Sequence, residues 1–369
     1  MISNKAQTGG GKKRVVGLDL MRIALAFLIY LFHSNMHFKC DYHILNGFIE
    51  VGAIAMTGFF LLSGYALHLT YSNKNLTSIG EIKVFYIKRL ITILPLYYFI
   101  AIAYSIYGTI NGFITWKENV ILFPVELLCL QSTFSSLFSY THNGGTWFIS
   151  CIVICYALYP FLQYVLLQLS NKSRVIILAI LFGIMLWAPI VQILFSLQMI
   201  YSNPFFRLLE FPIGIIIAQI NSTSEHKVLN LMRDKYFVVF VTFIMTFAIT
   251  ITRELGLPAD CMLYNWIALP CFICLLIPLG YLEYSSLQDN KYIIYLSGIA
   301  FTFFIIQIGP VWKYSGVICS LLGNTSNMMK ICVSFLYCLI GAVLIHELVE
   351  KPSSNYLRRK LLYQKTIEN

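Results

Sequence analysis

Val15-Val16-Gly17-Leu18-Asp19-Leu20-Met21-Arg22-Ile23-Ala24-Leu25-Ala26-Phe27-Leu28-Ile29-Tyr30-Leu31-Phe32-His33-Ser34-Asn35-Met36-His37-Phe38 decides how the whole chain is read. The run is long and apolar enough to cross a bilayer as one helix, yet it carries Asp19, Arg22 and His33. A charged side chain at the centre of such a helix costs about 2.5–3.5 kcal/mol on insertion scales, so it faces a protein interior or a water-filled cavity. Arg22 and His33 are close to three helical turns apart, which places both on one face, roughly 16 Å from each other. Asp19 precedes Arg22 by three residues, within reach of an ion pair that lowers the cost of burying each. A titratable imidazole in line with an Arg/Asp pair reads as a reaction site inside a membrane.

Composition supports that reading. Of the 369 residues, 58% are hydrophobic and only 11% charged, and the mean hydropathy is +0.74; a soluble domain carries about 25% charged residues. The formal charge of +10 is no nucleic-acid signal, because the basic residues punctuate apolar runs and form no stripe with interleaved aromatics. The ten cysteines fall mostly inside apolar runs. Cys271 and Cys274 have a C-x-x-C spacing without a second pair, so they read as buried small hydrophobes. Cys40 and Cys261 fall in loops on one side, where the sequence leaves a pairing open. His37 follows His33 by one turn, but no third ligand shares that face, so no metal site is expected.

The apolar pattern predicts an all-α polytopic membrane protein with ten spans, near 15–38, 48–71, 91–110, 145–168, 174–198, 204–220, 236–252, 262–282, 292–312 and 329–349. Val120 to Leu130 is too short to cross and is interrupted by Pro124 and Glu126, so it is expected at the interface or as a re-entrant piece. Lys5, Lys12, Lys13 and Arg14, the loops with Lys74, Lys83, Lys88 and Arg89, with Lys172 and Arg174, and with Lys227, Arg233 and Lys235, and the tail with Lys351, Arg358, Arg359 and Lys360 fall on one side. The positive-inside rule places that side, with both termini, in the cytoplasm. The organisation expected is a basic segment 1–14, a membrane domain 15–352 and a basic cytoplasmic tail 353–369, in the plasma (inner) membrane. No small-residue cleavage site follows the first run, which argues for a retained helix. Asp19 and Arg22 then lie near the cytoplasmic mouth and His33 in the outer half of the bilayer.

Six motifs follow one another along the chain: Leu18-Asp19-Leu20-Met21-Arg22 with His33; Phe59-Phe60-Leu61-Leu62-Ser63-Gly64; Phe85-Tyr86-Ile87-Lys88-Arg89 with Pro95-Leu96-Tyr97-Tyr98; Trp147-Phe148-Ile149-Ser150 with Tyr156 and Pro160; Arg207 with Phe211 and Gly214; and Glu350-Lys351-Pro352. In this order they resemble the acyltransferase family 3 membrane proteins, which O-acylate exported carbohydrates. Three departures stand out. Thr57 replaces a common Asp, Thr92 the second Arg of an Arg-x-x-Arg pair, and Gln307 a late His. The resemblance implies a donor such as acetyl-CoA or another short acyl-CoA, no permanently bound cofactor, and an exported or lipid-linked glycan as acceptor.

Transfer of an acyl group from a thioester to a sugar hydroxyl needs a base, and a positioned His contributes typically 10²–10⁴-fold. His33 is assigned that role. Arg22 is expected to orient the donor's phosphates or pantetheine arm through its planar fork, with Asp19 fixing the Arg22 rotamer. Arg89, Lys88 and Ser63 are expected on the donor side, and Trp147, Ser150 and Arg207 around the substrate pocket. No Gly-x-Ser-x-Gly elbow supports a covalent serine intermediate. Plainer readings stand beside these. Lys88 and Arg89 also read as interface anchors, Arg207 and Glu210 as an i,i+3 pair, and Glu350 as the residue before a proline helix stop. Intramembrane Asp, Arg and His equally mark transport paths, although no inverted repeat is evident. A silent membrane scaffold is the third reading, favoured slightly by Gln307.

Overall fold

The opening run is one helix, α1 (Val16–Phe38), which ends where Lys39 takes a left-handed conformation at φ 55°. The computed structural model describes residues 14–74, 76–133, 144–195, 200–223, 227–281, 285–307, 309–323 and 325–363. Lys5, Lys12, Lys13, the loop around Asn143 and the end of the tail lie outside the described residues, as does the side chain of Lys227. Among the described residues every regular element is a helix. The main ones after α1 are α2 (Ala55–Tyr71), α3 (Ile79–Ile110), α4 (Trp116–Leu127), α5 (Trp147–Gln168), α6 (Asn171–Leu194) and α7 (Pro204–Thr223). There follow α8 (Lys235–Glu254), α9 (Asn265–Leu279), α10 (Lys291–Ile305), α11 (Gly309–Leu321) and α12 (Asn327–Ile345). Among the described residues, eight helices are long and apolar enough to cross a membrane: α1, α2, α3, α5, α6, α7, α8 and α12, the last with its extension. The chain is an all-α polytopic membrane protein.

Burial separates central from peripheral helices. In α2, 78% of the apolar window is buried inside the protein, against 17% in α6 and α8. α2 is therefore the hub, while α6 and α8 turn Ile176, Ile180, Trp187, Phe240, Phe243 and Phe247 outward, as lipid-facing helices do. α2 and α7 approach closely enough for backbone to meet backbone. A Cβ on Gly64 would fall 2.0 Å from the Phe211 carbonyl oxygen, and one on Gly214 would fall 2.0 Å from that of Leu61. Small residues permit this spacing, and dispersion contacts rather than water exclusion hold such crossings in lipid.

Side-chain bonds fix the directions of the helices. Arg14 donates to the Gln288 carbonyl, Asp19 and Arg22 meet Ser297, and His33 meets Gln307. The near-constant offset means that α1 and α10 run parallel. Gly17, at the start of α1, lies against Leu279, at the end of α9, so α9 runs the other way. Parallel α1 and α10 require an even number of reversals between them, which α9 completes although it has only 15 residues. A turn in which the Leu263 N–H donates to the Asp260 carbonyl precedes its start and Gly280 caps its end, so it is shorter than the expected 262–282.

Three further boundaries differ from expectation. The span expected at 91–110 is the far part of a 32-residue helix that starts at Ile79, where the Ser78 hydroxyl accepts the Glu81 N–H; Lys83, Lys88 and Arg89 are thus helical and not in a loop. The span expected at 292–312 is broken. α10 ends at Ile305, and α11 leaves at 95° with Pro310 in its first turn, where the missing N–H costs nothing. The expected stop at Pro352 is absent. A π turn at His346–Glu350 precedes the proline, and helix continues through Lys351–Arg358, the extra residue per turn making room for the ring. Glu350 is a crosslink: its carboxylate accepts from Thr302 Oγ1 at 2.5 Å and meets His346 Nδ1 at 2.7 Å. The short 120–130 stretch falls in α4, a 12-residue helix opened by a Thr115–Glu118 capping box.

Candidate functional site

Near the C-terminal end of α1, His33 opens onto a cavity of about 530 Å³ whose wall includes His37, Trp147, Tyr201, Cys261 and Gln307. That volume lies within the range of small-molecule sites. His33 Nδ1 is 3.0 Å from Gln307 Oε1. The imidazole of His37, one turn further on, lies 5.7 Å from that of His33 and stacks at 6.0 Å on Trp312. Among the described residues no three His, Cys, Asp or Glu side chains are grouped to hold a metal ion. Burial pushes the Cys261 thiol up to about 12, so at neutral pH it is a thiol and a poor nucleophile. Cys40 and Cys261 are both free.

Behind this wall stands a buried ion pair. Arg207 Nη1 lies 2.7 Å from Glu210 Oε1, and both side chains are 0% exposed. Thr57 Oγ1 donates to Glu210 Oε1 at 2.8 Å and accepts from Arg207 Nη1 at 3.0 Å, while Arg207 Nε donates to the Tyr201 carbonyl at 2.6 Å. The guanidinium carbon lies 4.6 Å from the Tyr201 ring and 5.6 Å from that of Trp147. Arg207 therefore backs the aromatic wall of the cavity and is not part of its lining. Trp147 does line it. Ser150 does not: it is fully buried and accepts the Ser132 N–H at 3.3 Å, which ties the segment before α5 to that helix.

Toward the start of α1 the polar groups are cationic. Asp19 is held from two sides, by Arg14 Nε at 2.6 Å and Arg22 Nη1 at 2.9 Å. Ser297 Oγ stands between Asp19 and Arg22, 2.5 Å from the first and 2.6 Å from the second. Arg22 keeps a third of its side chain exposed. On α3, Arg89 donates to the Tyr71 hydroxyl at 3.2 Å and lies over the rings of Tyr71, Phe85 and Tyr156. Tyr156 is within electrostatic range of both Arg22 and Arg89, so α1, α3 and α5 converge here. Arg14 Nη2 and Arg89 Nε are buried and make no protein hydrogen bond. Lys88, beside Arg89, and Ser63, on α2, are half-buried and do not line the His33 cavity.

Between the two ends, Phe301 and Phe304 occupy α10 between Ser297 and Gln307, packed with Phe148, which also meets Phe59. The arrangement thus has a basic end suited to anions and a half-polar cavity with an imidazole, joined through aromatic rings. Sequence reasoning missed Arg14, Ser297, Tyr201 and Glu210 as parts of these two groups. Ser297 bears no local signal, and the i,i+3 spacing of Glu210 from Arg207 reports a helical neighbour but not that both are buried.

The acyltransferase-domain family matches residues 15–347, nearly the whole chain, and the chain belongs to it. No curated protein and no solved structure matches the chain.

Proposed function

We propose that this multi-pass membrane acyltransferase transfers a short acyl group, acetyl in the first place, from cytoplasmic acyl-CoA to a hydroxyl of an exported or cell-surface glycan. What carries the reading is the placement of two chemistries on one helix: arginines at the start of α1 and an imidazole facing a cavity near its other end. Ten spans with both termini cytoplasmic, in the plasma membrane, put the arginines inside and the cavity toward the outside, as the basic residues suggest.

At the inner end, Arg22 and Arg89 with Lys88 receive the donor's phosphates. The unmet donors Arg14 Nη2 and Arg89 Nε suit phosphate oxygens, which accept charge-assisted hydrogen bonds from planar guanidinium forks. The flexible thioester arm reaches past Phe59, Phe148 and Phe304 to the cavity. There a sugar stacks on Trp147 and Tyr201, whose rings are braced by Arg207. The imidazole of His33 takes the proton of the sugar hydroxyl as its oxygen attacks the thioester carbon. The tetrahedral intermediate collapses with cleavage of the C–S bond, and the protonated imidazole returns the proton to the departing CoA thiolate. Ester and thiol form, and His33 is neutral again. General base catalysis of this kind is worth about 10²–10⁴-fold.

The test is activity without compartments. Protein purified into nanodiscs, given labelled acetyl-CoA and a hydroxyl-bearing oligosaccharide, should release free CoA and acylate the sugar with no ion gradient. A transporter using the Asp19/Arg22/His33 stripe would do nothing here and would require closed vesicles; that outcome would overturn the proposal.

A further inference from the structure

Gln307 sits in the break between α10 and α11, where the backbone leaves one helix and has not yet begun the next. Its side chain is 3% exposed, so its amide is under strict hydrogen-bond demand. Gln307 Nε2 donates to the Phe303 carbonyl at 2.9 Å. A carbonyl oxygen accepts only, so this bond fixes which end of the amide is nitrogen and turns Oε1 toward α1. Oε1 lies 3.0 Å from His33 Nδ1, and as an acceptor it demands a proton on that nitrogen. In a neutral imidazole, a proton on Nδ1 leaves Nε2 with the free lone pair.

We infer that Gln307 is a positioning residue that locks His33 in the Nδ1-protonated tautomer and so makes Nε2 the nitrogen that accepts the acceptor-hydroxyl proton. The inference rests on the proposed acyl transfer for its last clause, but the tautomer itself does not. It also gives the replacement of the family's late His a physical content. An imidazole at this place offers either a donor or an acceptor, and so does not dictate the tautomer by itself. The amide, already committed to Phe303, offers His33 an acceptor and nothing else. Because the partner is neutral, it orients the ring without a fixed negative charge beside it. Among the described residues, the other titratable groups lining the cavity with the ring are His37 on α1, Tyr104 on α3, and Tyr201 and Cys261 from the segments before α7 and α9. Of the described groups it is Gln307 Oε1 that meets His33 Nδ1.

Nitrogen NMR of ring-labelled histidine tests the tautomer without any assay of activity, the His33 signal being assigned by its loss in His33→Ala. The wild-type protein should show Nδ1 protonated and Nε2 bare; a protonated Nε2 would overturn the inference. Gln307→Leu should give a mixture of tautomers and lower kcat roughly tenfold to a hundredfold, the cost of an unmet buried hydrogen bond, with the KM for acyl-CoA unchanged. Gln307→Glu should preserve the tautomer and move the acidic limb of the pH–rate profile upward by roughly one to three units, because a carboxylate favours the protonated ring. An unmoved limb in Gln307→Glu, with His33→Ala inactive, would sink the positioning role alone. Full activity in His33→Ala would sink the proton-acceptor clause along with the proposed mechanism, while the NMR result would still decide the tautomer.

Discussion

Replacing Glu210 by Gln tests the buried pair behind the cavity wall. Arg207 and Glu210 are both 0% exposed and 2.7 Å apart, so the substitution removes the balancing charge from a guanidinium enclosed by protein and leaves it neutral partners only, the new amide oxygen, the Tyr201 carbonyl and the Thr57 hydroxyl. Removing one member of such a pair costs about 3–5 kcal/mol, because the remaining charge is left uncompensated. At roughly 2–4 °C per kcal/mol the midpoint of thermal unfolding in detergent should fall by roughly 6–20 °C. Thr57 offers a rescue. Its Oγ1 is 3.0 Å from the same Arg207 nitrogen, so a carboxylate there reaches the cation that Glu210 held. Thr57→Asp alone places two carboxylates on one arginine and should destabilise; combined with Glu210→Gln it should recover at least half of the loss. Tryptophan fluorescence melts of the four proteins give the cycle. A loss below about 2 °C for Glu210→Gln, or no recovery in the double variant, would refute the reasoning that Glu210 balances a buried Arg207 charge.

Gly214→Ala should reduce folded yield sharply, because its Cβ would lie 2.0 Å from the Leu61 carbonyl oxygen; size-exclusion profiles of tagged protein report it, and a normal profile would contradict the close crossing. Cys261 should react slowly with iodoacetamide at pH 7 and far faster above pH 10, since burial holds its thiol up to about 12, and a bound oligosaccharide should slow it further; peptide mass spectrometry reads both. Arg89→Ala should raise the KM for acyl-CoA more than tenfold with little change for the sugar, and Trp147→Ala should do the reverse. Equal effects on both substrates would contradict the two-ended site.

The membrane class was legible because apolar runs of span length have no competing reading, and α1 was legible to within a residue at its start. Boundaries failed where local chemistry overrides hydropathy. The Ser78 cap starts α3 twelve residues, more than three turns, ahead of the expected boundary, and a π turn lets a helix pass Pro352. The break after Ile305 had only Gly309 and Pro310 to announce it. At the site, the Asp19–Arg22 pair followed from i,i+3 spacing, but Ser297 and Gln307 meet α1 from some 275 residues away, and no periodicity reports which helix lies alongside another. Thr57 and Gln307 looked like losses in the sequence. In the fold each keeps a hydrogen-bonding role, one on the Arg207–Glu210 pair and the other on His33.

The most direct test of the central claim is acyl transfer by purified His33→Ala beside the wild type, with acyl-CoA affinity measured on the same preparations. The account predicts that the variant binds acyl-CoA as the wild type does, because the arginines at the other end of α1 are untouched, and that it transfers about 10²–10⁴-fold more slowly. Transfer at the wild-type rate by a variant that still folds and binds donor would contradict it.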